Sequence, residues 1–121
     1  NPDMRQSAVF AMGRSSDSQW LSVIMNELDS DSPAMRYESA SACGLLGDES
    51  SVPHLIALIK DEDSEVQVAA VQSIGNIGGT LAKRALQQAL RTGEDAVEDA
   101  AEEAMANIDF DDDPLGFRFQ G

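Results

Sequence analysis

The feature that most constrains this chain is a repeat. Gly13, Gly44 and Gly75 stand 31 residues apart, and Ala106 holds the next place in the series. Their surroundings keep step: Met4, Met35, Val66 and Val97 form one series, and Met12, Cys43, Ile74 and Met105 another. A unit of roughly 30 residues cannot bury an apolar face alone, so its copies must stack and share a continuous core.

Within each unit the apolar spacing is helical. Asn1 is a suitable N-cap and Pro2 a suitable first helical residue. Met4, Ala8, Ala11 and Met12 then recur as one face. A polar turn from Arg14 to Ser18 leads into a second helix, from Asp17 or so to Leu28, with Leu21, Ile24, Met25 and Leu28 on one side. The second unit opens on Ser32-Pro33, the same cap followed by proline. Its face is Met35, Ser39, Ala42 and Cys43, extended by Leu46, and its second helix carries Val52, Leu55, Ile56 and Ile59. Pro53 falls in the first turn of that helix, where proline is tolerated. In the third unit Asp63 or Ser64 can cap; Val66, Ala70, Ser73, Ile74 and Ile77 form the first helix, and Gly78-Gly79 the turn. Leu81, Ala82, Ala85, Leu86, Ala89 and Leu90 form its second helix. The fourth unit is half present. Asp95 is expected to cap a stripe of Val97, Ala100, Ala101, Ala104, Met105 and Ile108, after which residues 109–121 show no helical pattern.

Glycine inside a helix costs on the order of 1 kcal/mol against alanine. A place that accepts it three times therefore calls for a bare backbone where a neighbouring helix crosses closely; a hinge is the alternative reading. Composition agrees with close helix packing. The apolar fraction is 42%, much of it alanine, with six aromatic residues in all, which suits helices better than a sheet. The net charge of −14 opposes docking on nucleic acid or an anionic membrane. The single cysteine excludes an internal disulfide and fits a reducing compartment, so a cytoplasmic location is expected. No apolar run approaches the roughly 20 residues of a membrane span. The chain begins at Asn1, which fits a piece or a processed form of something longer.

The run Ser-Pro-Ala-Met-Arg at 32–36, then alanine, two glycines, a Leu-Ile helix and an acidic run, resembles the HEAT-like repeats first noted in phycobiliprotein lyases. The resemblance covers residues 1–108. It implies a solenoid with the first helices on the convex side and the second helices on the concave side. Repeat and resemblance together give an all-α fold: a right-handed α-solenoid of about three and a half helical hairpins. Its units are 1–31, 32–62 and 63–93, with a half unit 94–108 and an acidic-aromatic tail 109–121. In the tail, Leu115 and Phe117 either fold back over the open end or belong to a peptide that binds elsewhere. Arg5 and Arg36 match an arginine that commonly bonds acidic groups near a helix start in the family. Gln67 and Glu98 take the later places, so such a ladder should stop halfway. Lys83 stands where Leu21 and Val52 are apolar, which suggests a shifted helix or a more open second face.

Candidate chemistry is sparse. His54, the only histidine, has Val23 and Ala85 as its equivalents and belongs at the edge of the packed face. Some HEAT-like enzymes hold iron through repeated His-Glu pairs, but this sequence has no His-Glu dipeptide, and no cofactor or metal is expected. Cys43 shares its place with core residues. Asp61-Glu62-Asp63 and Asp111-Asp112-Asp113 lack the spacing of a calcium loop. Gly75 to Gly79 lacks both the preceding strand and the Gly-Lys-Ser/Thr of a phosphate loop. Lys83, Arg84 and Arg91 make one helix basic but are too few for a nucleic-acid groove. The function expected is a non-enzymatic interaction or scaffold module that binds a protein or peptide on its concave face. The candidate contacts are Ser22, Asn26, His54, Ala57, Lys83, Gln87 and Arg91, with no catalytic residue, no nucleic acid and no membrane. Two alternatives stand beside it: an accessory subunit of a bilin (tetrapyrrole) lyase, implied by the resemblance alone, and a structural spacer in a longer chain.

Overall fold

The structure is a computed structural model that describes residues 2–14 and 18–112, with the side chains of 4–11 and 19–108. Among the described residues there are seven α-helices and no strand. They are α1 (Pro2–Arg14), α2 (Leu21–Glu27), α3 (Pro33–Leu46), α4 (Val52–Leu58), α5 (Ser64–Ile77), α6 (Thr80–Thr92) and α7 (Asp95–Asp112). Single 3-10 turns, Ser18–Trp20 and Glu49–Ser51, lead into α2 and α4.

The first helices α1, α3, α5 and α7 pack one on the next in series. Each second helix packs chiefly on the first helix of the following unit: α2 on α3, α4 on α5 and α6 on α7. The joints between units thus outweigh the contacts inside a hairpin, as a stack whose units cannot bury themselves requires. Ile24, Leu55 and Leu86, one position in three units, are fully buried.

Local chemistry sets the helix ends. The Ser32 hydroxyl accepts from the Met35 N–H at 3.3 Å and Pro33 occupies the first turn of α3. Gly47 ends that helix at φ 72°, a left-handed conformation that favours glycine, and its N–H bonds the Cys43 carbonyl. Of the two candidates for the α5 cap it is Asp63 that accepts, from the N–H groups of Glu65 and Val66. Asp95 is the first helical residue of α7, not its cap, and α7 runs on past Ile108 to Asp112. The cap assigned to Asn1 and the fold-back assigned to Leu115 and Phe117 lie outside the described residues.

The glycine series has the expected cause. A Cβ on Gly44 would stand 2.6 Å from the Ser73 hydroxyl and 2.9 Å from the Ser73 Cα; one on Gly75 would stand 2.6 Å from the Ala104 Cβ. Bare backbone at these places lets α3 meet α5, and α5 meet α7. Ala106, on the last described helix, is exposed, so its methyl group meets no such limit.

Four expected core positions are corrected. Met4 is 71% exposed, and Ala8 and Ala11 are also exposed; among the described side chains of α1 the buried one is Val9. The equivalent residues of α3 are covered because α3 lies between α1 and α5 with α2 against it, whereas α1 packs mainly on α3. Leu81 is exposed as well. α6 starts directly after Gly79, with no 3-10 turn, and buries Ala82, Ala85, Leu86 and Ala89. Ala82 is buried like its counterpart Ser51, and Leu86 like Leu55, so the helix keeps its register; the difference is at Lys83, half-buried where Val52 is buried, which leaves this second face more open.

Candidate interaction surfaces

The seven candidate contact residues are brought to the surface in three sets. Ser22 and Asn26 are exposed on α2, His54 and Ala57 on α4, and Gln87 and Arg91 on α6, where Lys83 is half-buried. Spacings of three and four residues put each set on one side of its helix. Arg84 is exposed beside the α6 set, and the Arg91 guanidinium donates to the Gln88 side chain at 3.0 Å. Asn26 lines a depression of about 410 Å3 with Arg5, Asp29 and Ser32 at the joint of the first two units.

The arginine ladder is structural. Arg36 donates to both carboxylate oxygens of Asp61, at 2.8 and 3.2 Å, and to the Ser30 carbonyl at 2.8 Å. One side chain thereby ties the segment after α2 to the segment after α4. Burial alone would push the Asp61 carboxyl up. The Arg36 hydrogen bonds, the Asp63 N–H and the guanidinium charge outweigh it and hold the group below its usual range. Arg5 makes the corresponding ion pair with Glu27. The charged ladder does stop at Gln67, but the tie does not. The Gln67 amide donates to the Ile59 carbonyl at 2.9 Å, closing the end of α4 without charge.

Cys43 is fully buried, and burial pushes its thiol up to about 12, against a smaller downward pull from the Ser51 hydroxyl. A thiol so held is not a nucleophile at neutral pH. Among the described residues no three of His, Cys, Asp and Glu gather as a metal site, and no helix is long and apolar enough to cross a membrane.

Sequence reasoning missed a second surface. Phe10, Tyr37 and Leu45 are about half exposed and line one depression of about 220 Å3 between α1 and α3. The signal was present in the period: Phe10, Ser41, Gln72 and Glu103 are one position in four units, and each lines a depression on the first-helix layer.

A stack of helical hairpins with its polar rows turned outward defines an α-solenoid. The sequence pattern of HEAT repeats matches residues 1–58 and 21–106. The chain belongs to the HEAT-repeat family. No curated protein matches it. Among solved structures it is similar to human deoxyhypusine hydroxylase in complex with glycerol, with a TM-score of 0.76 and 24% identity. The match covers 84% of this chain and 36% of the hydroxylase, so the chain spans about a third of that protein's length. At this identity the likeness shows a shared fold and nothing of the chemistry.

Proposed function

We propose that the chain is a protein- or peptide-binding module that works without catalysis, and that its binding surface is the outward row of α2, α4 and α6. The observation that carries this reading is the α6 strip. Lys83, Arg84 and Arg91 bring three of the eight basic residues to one helix of a chain with net charge −14. Lys83, Gln87 and Arg91 follow one side of that helix at four-residue steps, and Ser22, Asn26, His54 and Ala57 offer exposed positions on the two preceding second helices. Solenoids present extended surfaces of this kind to partners. The buried Cys43 thiol and the exposed position of the sole histidine, His54, support a non-catalytic role.

The test has two stages. A partner is captured with the full chain and then titrated in purified form against the variant Lys83→Ala/Gln87→Ala/Arg91→Ala. Binding should weaken at least about tenfold, or about 1.4 kcal/mol; unchanged affinity would remove the proposed surface. The lyase reading predicts instead a new visible absorption band when a bilin is mixed with the protein, and none is expected.

A further inference from the structure

We infer that the outer face of the first helices is a separate docking surface, built for a short extended segment of another protein in which arginine or lysine alternates with apolar side chains. It involves neither the α6 strip nor any residue proposed above.

Four depressions, of about 290, 220, 340 and 210 Å3, cross this face from α1 to α7. They form one trough because neighbours share lining residues. The first two share Phe10 and Glu38, the second and third share Tyr37, and the third and fourth share Gln72. The trough follows the 31-residue period, so a partner crossing it meets the same helix face four times.

Its chemistry selects the partner. Phe10, Tyr37 and Leu45 are 49%, 42% and 51% exposed, an apolar patch at the surface of the described stack. The carboxylate residues Glu38, Glu65 and Glu103 line the trough, and among the described residues no lysine or arginine does. Tyr37 is the centre. It lines the depression that holds Glu38 and also the one that holds Glu65. An aromatic residue that shares its depressions with acidic residues suits a guanidinium, which can lie on a ring and donate to carboxylates. The depression between Phe10 and Leu45 takes the neighbouring apolar side chain. Three helix-to-helix steps of roughly 8–10 Å give a trough of about 24–30 Å, the length of about eight extended residues at roughly 3.3 Å each. Nucleic acid and anionic membrane are repelled by such a face, and a second copy brings its own charge of −14.

The probe is a fluorescein-labelled octapeptide alternating arginine and leucine, titrated into the full chain by fluorescence anisotropy. Salt is held at about 0.15 M, where charges beyond about 8 Å are screened. The variant Tyr37→Ala/Glu38→Gln should weaken binding at least about tenfold. The variant Glu102→Gln, which removes one exposed carboxylate of α7 outside the trough, should stay within about twofold of the parent. Glu65→Gln, which changes a single exposed side chain, keeps the test decisive if the double variant fails to fold. Equal losses for trough and control variants would show bulk charge attraction and overturn the inference. So would equal affinity for a peptide with serine in place of leucine. Concentration-dependent dimerisation in sedimentation, abolished by Tyr37→Ala/Glu38→Gln, would assign the trough to a second copy and overturn it too. The α6 triple variant should bind the peptide normally, so this surface and the proposed one fail separately.

Discussion

The sharpest test of the stacking geometry is Gly44→Ala. On a solvated helix this change stabilises by about 1 kcal/mol, because alanine is the better helix former. At Gly44 the new methyl group would sit 2.6 Å from the Ser73 hydroxyl, 2.8 Å from its Cβ and 2.9 Å from its Cα. Rotating Ser73 can relieve the first contact but not the last, so α3 and α5 must part. Overpacking of this kind costs about 1–3 kcal/mol. Displacing the Ser73 hydroxyl also breaks its 2.7 Å hydrogen bond to the Ala40 carbonyl, worth about 1 kcal/mol. Against the gain of about 1 kcal/mol, the net loss is about 1–3 kcal/mol, a fall in Tm of roughly 4 °C or more. Thermal unfolding followed by circular dichroism reads it directly. Ser73→Gly removes the opposing Cβ, so the double variant should recover part of the loss, with a coupling of about 0.5–3 kcal/mol. Ala106→Gly, at the equivalent exposed position, should simply lose the helix preference of about 1 kcal/mol. A Gly44→Ala protein that melts above the parent would refute the close approach, since propensity alone would then explain the result.

Arg36→Met leaves Asp61 without its bidentate partner, in a pair whose side chains are 11% and 8% exposed. The urea midpoint should correspond to a loss of about 2 kcal/mol, less than for a fully enclosed pair because the junction lies near the surface. The folded Asp61 carboxyl is held low, so its contribution is present above the ordinary carboxylate pKa of about 3.9 and fades as pH falls through the lower folded value. The gap between parent and Arg36→Met should therefore close below about pH 4; a constant gap from pH 7 to pH 3 would argue against the ion pair. Cys43, buried with its thiol near 12, should react with a disulfide reagent at pH 8 at least about 100-fold more slowly in the folded protein than in urea. Labelling at the unfolded rate would show that α3 does not pack as described.

Much of the fold was legible because stacking leaves periodic traces. The faces Met35–Ser39–Ala42–Cys43 and Val97–Ala100–Ala101–Ala104 were found from spacing alone and are buried. The candidate surface was legible in part. Helix phase placed Ser22, Asn26, His54, Ala57, Gln87 and Arg91 outward, as they are, and Lys83 only half so. Lys83 keeps the register of Val52 but carries a charged, long side chain, so its stem is covered while the residue as a whole stays half-buried. The trough at Phe10, Tyr37 and Leu45 was not recognised. The packed faces read from spacing leave these three residues outside them, but only the packing of α1 against α3 brings them into one depression.

The sequence by itself determined the period, the helices, the Ser32 cap and the bare-backbone positions at Gly44 and Gly75. All of these arise from contacts that recur every 31 residues or lie within one turn of the chain. Tertiary structure alone decided which apolar faces are covered. Periodicity gives the direction in which a side chain points, but whether it is buried depends on a neighbour standing in that direction. Among the described residues Met35 has one and Met4 does not, although the two hold the same place in consecutive units.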